Sequence, residues 1–187
     1  MTPRASKKGS DSLAVARLFP ETGCQHVSPS VDTDVFTARM RFHQSWYRHY
    51  RLGLEPGPNP HARNDVYGNM LSEEDGRQGR NFLSEEAFAH ARERFPETGN
   101  DSGTRRLYCN LLGSQTMCFN LFGMMRSAPE PLATELFRSL PGAPGDATVT
   151  DIRFEYAPDK KLHLNDATSF DAFIAYERPG GVKGFAG

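Results

Sequence analysis

The chain has 187 residues, a length for one domain with at most a small second piece. Hydrophobic residues make up 37% and charged residues 24%, a water-soluble balance, and no apolar run approaches the roughly 18 residues of a membrane-spanning helix. A net charge of −1 excludes strong global attraction to phosphate and leaves only local basic patches for a nucleic-acid partner.

Residues 1–33 are rich in Ser, Thr, Pro, Gly and Lys and are expected to be disordered or loosely docked. Arg4, Lys7 and Lys8 are not followed by an apolar stretch, so no secretory signal is read there. Three cysteines, Cys24, Cys109 and Cys118, are odd in number and lack metal-ligand spacing. They point to a reducing cytoplasm rather than to a disulfide framework.

Residues 34–187 are expected to form one domain. Its first helix is predicted over 33–52, capped by Asp32 or Asp34 and ended by Gly53, Pro56 and Pro58. Phe36, Met40, Tyr47, Tyr50 and Leu54 recur at helical spacing and predict the buried face. Beside them runs a second stripe of Arg41, Gln44, Arg48 and Arg51. Arg41, Arg48 and Arg51 are candidates for phosphate contacts, with Trp46, Tyr47, His49 and Tyr50 available to stack on bases. The plainer alternative is a solvated face whose arginines meet acids such as Glu73, Glu74 or Asp75.

Residues 53–83 read as loop, because Pro56, Pro58 and Pro60 exclude helix and central strand. A short helix starts at Ser84, a capping residue before two acids, and stops at Pro96. Residues 104–125 carry the strongest helical signal. They are apolar on nearly every side, which predicts a central position, with a break at Gly113 and a fresh start at Ser114. A short amphipathic helix over 132–140 follows.

The period then changes from helical to alternating. A strand over 148–156 places Ile152, Phe154 and Tyr156 on one side and Asp151, Arg153 and Glu155 on the other. A second, over 168–177, turns Phe170, Ala172, Ile174 and Tyr176 one way and Asp171, Phe173 and Ala175 the other. A hairpin turn at 178–181 leads to the opening of a third strand at Gly184. Two strands and a stub leave an edge uncovered, so the chain is expected to be a fragment of a longer one.

Chemistry is expected first at Asp171 and Glu155. A carboxylate between Phe170 and Ala172 needs an edge, a partner or a cation. One or two carboxylates plus a substrate phosphate are a usual Mg²⁺ ligand set. The alternative is two solvent-facing acids on the polar side of a sheet. Gln115 and Asn120 lie in an otherwise apolar helix, where amides commonly tie helices to loops. Six histidines are scattered, and no HExxH, zinc spacing, Walker A or GxSxG is present, so a serine hydrolase or nucleotide fold has no support. Cys109 and Cys118 sit in apolar helical surroundings and read as small hydrophobes.

The order of these segments resembles a restriction-endonuclease-like family of the PD-(D/E)XK nuclease superfamily. The likeness is carried by LYCNLLGSQTMCFNLF at 107–122, then FEY at 154–156, then DATSFDAFI at 166–174. It runs from about Arg39 to the last residue and is strongest over 104–187. It implies an α+β (α/β) fold: a helical N-terminal part and a restriction-endonuclease-like αβββ core, here incomplete at the C-terminus. It implies that Asp171 matches the family's metal-binding Asp, that Glu155 is the nearest match to an accessory acid, and that Gln115 matches a polar position on the first core helix. It further implies Mg²⁺ as cofactor, DNA as partner with no membrane role, and a homodimer. The family's Glu-x-Lys pair on the third strand is absent from these residues. The chain as it stands is therefore expected to be inactive, while a longer parent is expected to be an endonuclease. The competing readings are a non-catalytic nucleic-acid-binding module and a scaffold protein.

Overall fold

The computed structural model describes residues 18–24, 35–59, 65–96, 102–159 and 169–186. The fold is α+β, with six α-helices and two small antiparallel sheets among these residues. The chain forms two compact units, Met1–Asn81 with Gly99–Gly113, and Phe82–Thr98 with Ser114–Gly187. No helix among the described residues is long and apolar enough to cross a membrane.

The first unit is built around α1, Val35–Tyr47, which widens into a π-helical turn over Arg48–Leu52 and ends at Gly53 in the left-handed conformation. Its expected caps, Asp32 and Asp34, lie outside the described residues. The expected apolar face is not the buried one: Phe36 is 71% exposed and Tyr50 46%, whereas Ala38, Ser45 and Arg48 are buried. The reason lies in what surrounds the helix. Arg48 donates from Nε to Gly68 O (2.8 Å), from one terminal nitrogen to Thr22 O (2.7 Å) and from the other to Leu54 O. Main-chain carbonyls away from water need donors, and a five-donor guanidinium supplies them where an apolar side chain cannot. Thr22, in a 3₁₀ turn over Pro20–Thr22, is fully buried, so this part of the N-terminal segment is packed.

The stretch expected as loop contains regular structure. Strand β1, Gly57–Pro58, pairs antiparallel with β2, Val66–Tyr67. Helix α2, Glu73–Arg77, is capped by Ser72, whose hydroxyl accepts from Asp75 N. Asn81 donates to the Leu107 and Asn110 carbonyls, fixing the end of α4, Ser102–Cys109.

The second unit follows the sequence pattern closely. Ser84 Oγ accepts from Ala87 N (3.1 Å) and starts α3, Glu85–Arg94. Helix α5 begins at the expected restart, Ser114–Ser127, and α6 spans Glu130–Arg138. Three strands, β3 Thr148–Tyr156, β4 Phe170–Arg178 and β5 Val182–Ala186, form an antiparallel sheet in that order. Its core joins Phe137 and Met125 to Val149, Ile152 and Ile174. Each such side chain contributes on the order of 1.5–3 kcal/mol of burial. Where the β3–β4 register slips between Val149 and Asp151, the Val149 amide donates to Thr134 Oγ1 of α6 (2.9 Å). Helix α5 is less enclosed than its composition implies. Met117, Leu121 and Met124 form an exposed stripe, because the sheet and α3 occupy only part of its circumference.

Candidate functional site

Strand register brings the two acidic residues to one level of the sheet. Phe154 pairs with Ala172 and Tyr156 with Phe170, so Glu155 and Asp171 lie at the same level, between these pairs. Like charges placed directly across a sheet are destabilising. Asp171 is exposed and Glu155 is half-buried.

Glu155 is also the only described non-glycine residue with a positive φ, +49°. Such a conformation costs on the order of 1–3 kcal/mol. Its consequence is visible in the neighbours. Arg153 lies over the Tyr156 ring (4.9 Å), and Tyr156 packs on Phe173 (4.6 Å). Residues 153 and 156 therefore share one face, whereas strict alternation separates positions three apart. Phe154 packs on Phe119 of α5 (4.4 Å). The skip occurs at Glu155, which joins Phe154 on the α5 side, where Gln115 Nε2 donates to its Oε1 (3.1 Å). The expected alternation, Tyr156 with Phe154 and Glu155 with Arg153, is thus corrected at the strand's end by one left-handed residue.

Two more side chains meet this site. Arg94, the last residue of α3, donates to the Glu155 carbonyl (3.1 Å). Cys118, one turn along α5 from Gln115, has its thiol pushed up to about 11, first by burial, then by Asp171 and Glu155. Cys118 is therefore a neutral thiol beside two acids. Asn120 plays the structural part expected of a buried amide: its side-chain oxygen accepts from Leu83 N (2.8 Å). Nothing in the sequence marks the left-handed Glu155 or its contact with Arg94, since both arise from pairing between distant segments.

The oxygen-rich pair suits a hard divalent cation completed by substrate phosphate and water, since such a site needs only one or two carboxylates. Among the described residues no group of three or more His, Cys, Asp or Glu is placed to hold a metal unaided.

The arginine candidates of α1 separate. Arg48 is fully buried with its donors on three carbonyls, so in this structure it is an internal strut and not a phosphate contact. Burial lowers its pKa, and Glu55 acts the other way. Arg41 donates to Asn69 Oδ1 (2.8 Å) and lies over the Tyr67 ring (5.7 Å). Arg51 is exposed. The acids weighed as their partners are engaged elsewhere, Glu74 with Arg77 and Glu73 with Arg105.

A second constellation was not visible in the sequence. His90 Nε2 lies 2.8 Å from Ser127 Oγ, and its Nδ1 lies 3.4 Å from Glu93 Oε2. The order serine, histidine, carboxylate is that of a hydrolytic triad. Here the amide after the serine is spent on Met125 O (3.3 Å), and Arg126 pairs with Glu93 (3.2 Å). That amide is not free to serve an oxyanion, so the group reads as a helix-end tie between α3 and α5.

A family model of the PD-(D/E)XK nuclease superfamily matches residues 30–187. No curated protein and no solved structure matches the chain.

Proposed function

The chain belongs to the PD-(D/E)XK nuclease superfamily, and on that premise we propose that its fold serves Mg²⁺-dependent hydrolysis of phosphodiester bonds in DNA. The observation that supports this most directly is the placing of Glu155 and Asp171 at the same level, with Gln115 hydrogen-bonded to Glu155. Two acids at one level of the sheet, one in a costly backbone conformation, are poor design for stability and good design for a cation. Asp171 and Glu155 would hold the cation, and Gln115 would orient the Glu155 carboxylate. When bound, the cation would polarise the scissile phosphate and lower the pKa of the attacking water. Arg51 and Arg41 are the proposed contacts to the DNA backbone.

The family's Glu-x-Lys pair has no match among these residues, so the 187 residues alone are expected not to cleave. The lysine's part would be to stabilise developing negative charge. A cytoplasmic homodimer is the proposed working form.

The test is nicking of supercoiled plasmid in Mg²⁺. The 187-residue chain is expected to leave the plasmid intact. A variant with a Glu-x-Lys pair engineered beside β5 is expected to nick it, and Asp171→Ala in that variant to abolish nicking. Cleavage by the 187 residues alone, or cleavage that survives Asp171→Ala, would overturn the proposal.

A further inference from the structure

Glu155 sits in a conformation that an L-residue leaves when nothing holds it. Relaxation to extended backbone would restore alternation and carry the carboxylate to the Phe173 face, away from Gln115. The side chain from Gln115 grips the carboxylate, but it cannot by itself fix the peptide plane behind it. The structure offers a second hold on that plane: Arg94 reaches from the end of α3 to the Glu155 carbonyl (3.1 Å). Arg94 also lies over the ring of Phe95 (5.2 Å), and Phe95 packs on Phe119 of α5. A guanidinium stacked on a ring is oriented as well as charged. Its reach to Glu155 is therefore anchored through Phe95 and Phe119 in the packing that also places Phe154.

We infer that Arg94 is a positioning residue: it holds Glu155 left-handed and so keeps the carboxylate on the α5 side, beside Gln115. Its role in cation binding rests on the reading of Glu155 and Asp171 as cation ligands given above. Its role in backbone placement does not.

The experiment uses the full 187-residue chain with Arg94→Ala and Arg94→Lys, read by two-dimensional amide NMR and by Mn²⁺ titration. Arg94→Ala is expected to shift the Glu155 amide and the Gln115 side-chain NH₂ signals and to bring Glu155 to extended coupling. It is also expected to weaken Mn²⁺ binding about 10-fold, the usual scale for losing a group that orients a ligand. Arg94→Lys keeps a charge and a donor but not the planar stack, and should fall between the two. Core signals of Phe137 and Ile174 should stay in place, which a general loss of packing would not allow. The inference is overturned if Arg94→Ala leaves Glu155 and Gln115 unmoved, or if Arg94→Lys is as damaging as Arg94→Ala. If Mn²⁺ fails to broaden Glu155 and Asp171 in the unaltered chain, the cation reading falls, while the backbone signals still decide the role of Arg94.

Discussion

The two units solve the same problem with opposite materials. The first buries Arg48, Ser45, Thr22, Asn69 and Asn81, each bonded within its own unit, so that a helix, two short strands and a turn are tied through polar side chains. The second buries Phe137, Phe154, Ile152 and Ile174 between helices and sheet. It leaves its carboxylates at the end of the strands. Apolar packing tolerates small losses in proportion to the volume removed. A buried polar net fails when one donor is lost, because every acceptor it served is stranded. The candidate site lies in the unit whose framework does not depend on charge, so charges there are free for other work.

The sharpest way to break this contrast is to damage each unit in its own terms. Phe137→Ala should cost the second unit about 3–5 kcal/mol, the usual range for emptying a buried aromatic. It should appear as an earlier loss of the β3–β5 amide signals in urea. Arg48→Met keeps the length of the side chain but strands three carbonyls, at about 1–3 kcal/mol for each stranded group. Trp46, the one tryptophan of the chain, lies in α1 two residues away and reports this by fluorescence. An unmoved midpoint would mean that water replaces the guanidinium.

Smaller effects sharpen the picture. A Cβ on Gly123 of α5 would lie 2.7 Å from Ala87 Cα of α3, so Gly123→Ala should destabilise the second unit by about 1–3 kcal/mol through overpacking. Cys109 and Cys118 test the burial of both units by pH. Burial raises each thiol from 9.0 to about 11. The folded state therefore favours the protonated form, so this contribution is complete below pH 9.0 and is lost as pH rises toward about 11. Alkylation by iodoacetamide should accordingly be slow at pH 8 and accelerate steeply above pH 10. The smallest effect has the opposite sign. Asp171→Asn removes the charge at the level of Glu155 and should stabilise the fold by about 0.2–1 kcal/mol, measured as a higher urea midpoint.

The same contrast explains what the sequence could reveal. The strands at 148–156 and 170–178, the Ser84 cap and the restart at Ser114 are legible because apolar burial leaves a period. The α1 face is not legible because two of its buried positions are Ser45 and Arg48, and no hydrophobic scale marks an arginine whose partners are backbone carbonyls from Thr22, Leu54 and Gly68. At the site, Asp171, Glu155 and Gln115 stood out as polar residues in apolar elements, and two of them meet in a hydrogen bond. The left-handed turn at Glu155 did not stand out, since a glutamate carries no local preference for it. Nor did Arg94, sixty-one residues away in sequence from the carbonyl it holds.

The central claim is that Glu155 and Asp171 form one cation site. Mn²⁺ titrated into the isotopically labelled chain tests it most directly, through paramagnetic broadening of amide signals. The account predicts that residues around Glu155, Asp171 and Gln115 broaden first, and that Asp171→Asn removes this effect while the rest of the spectrum is unchanged. Broadening that begins instead at other surface acids, such as Asp151 or Glu177, or that is the same in Asp171→Asn, would contradict it.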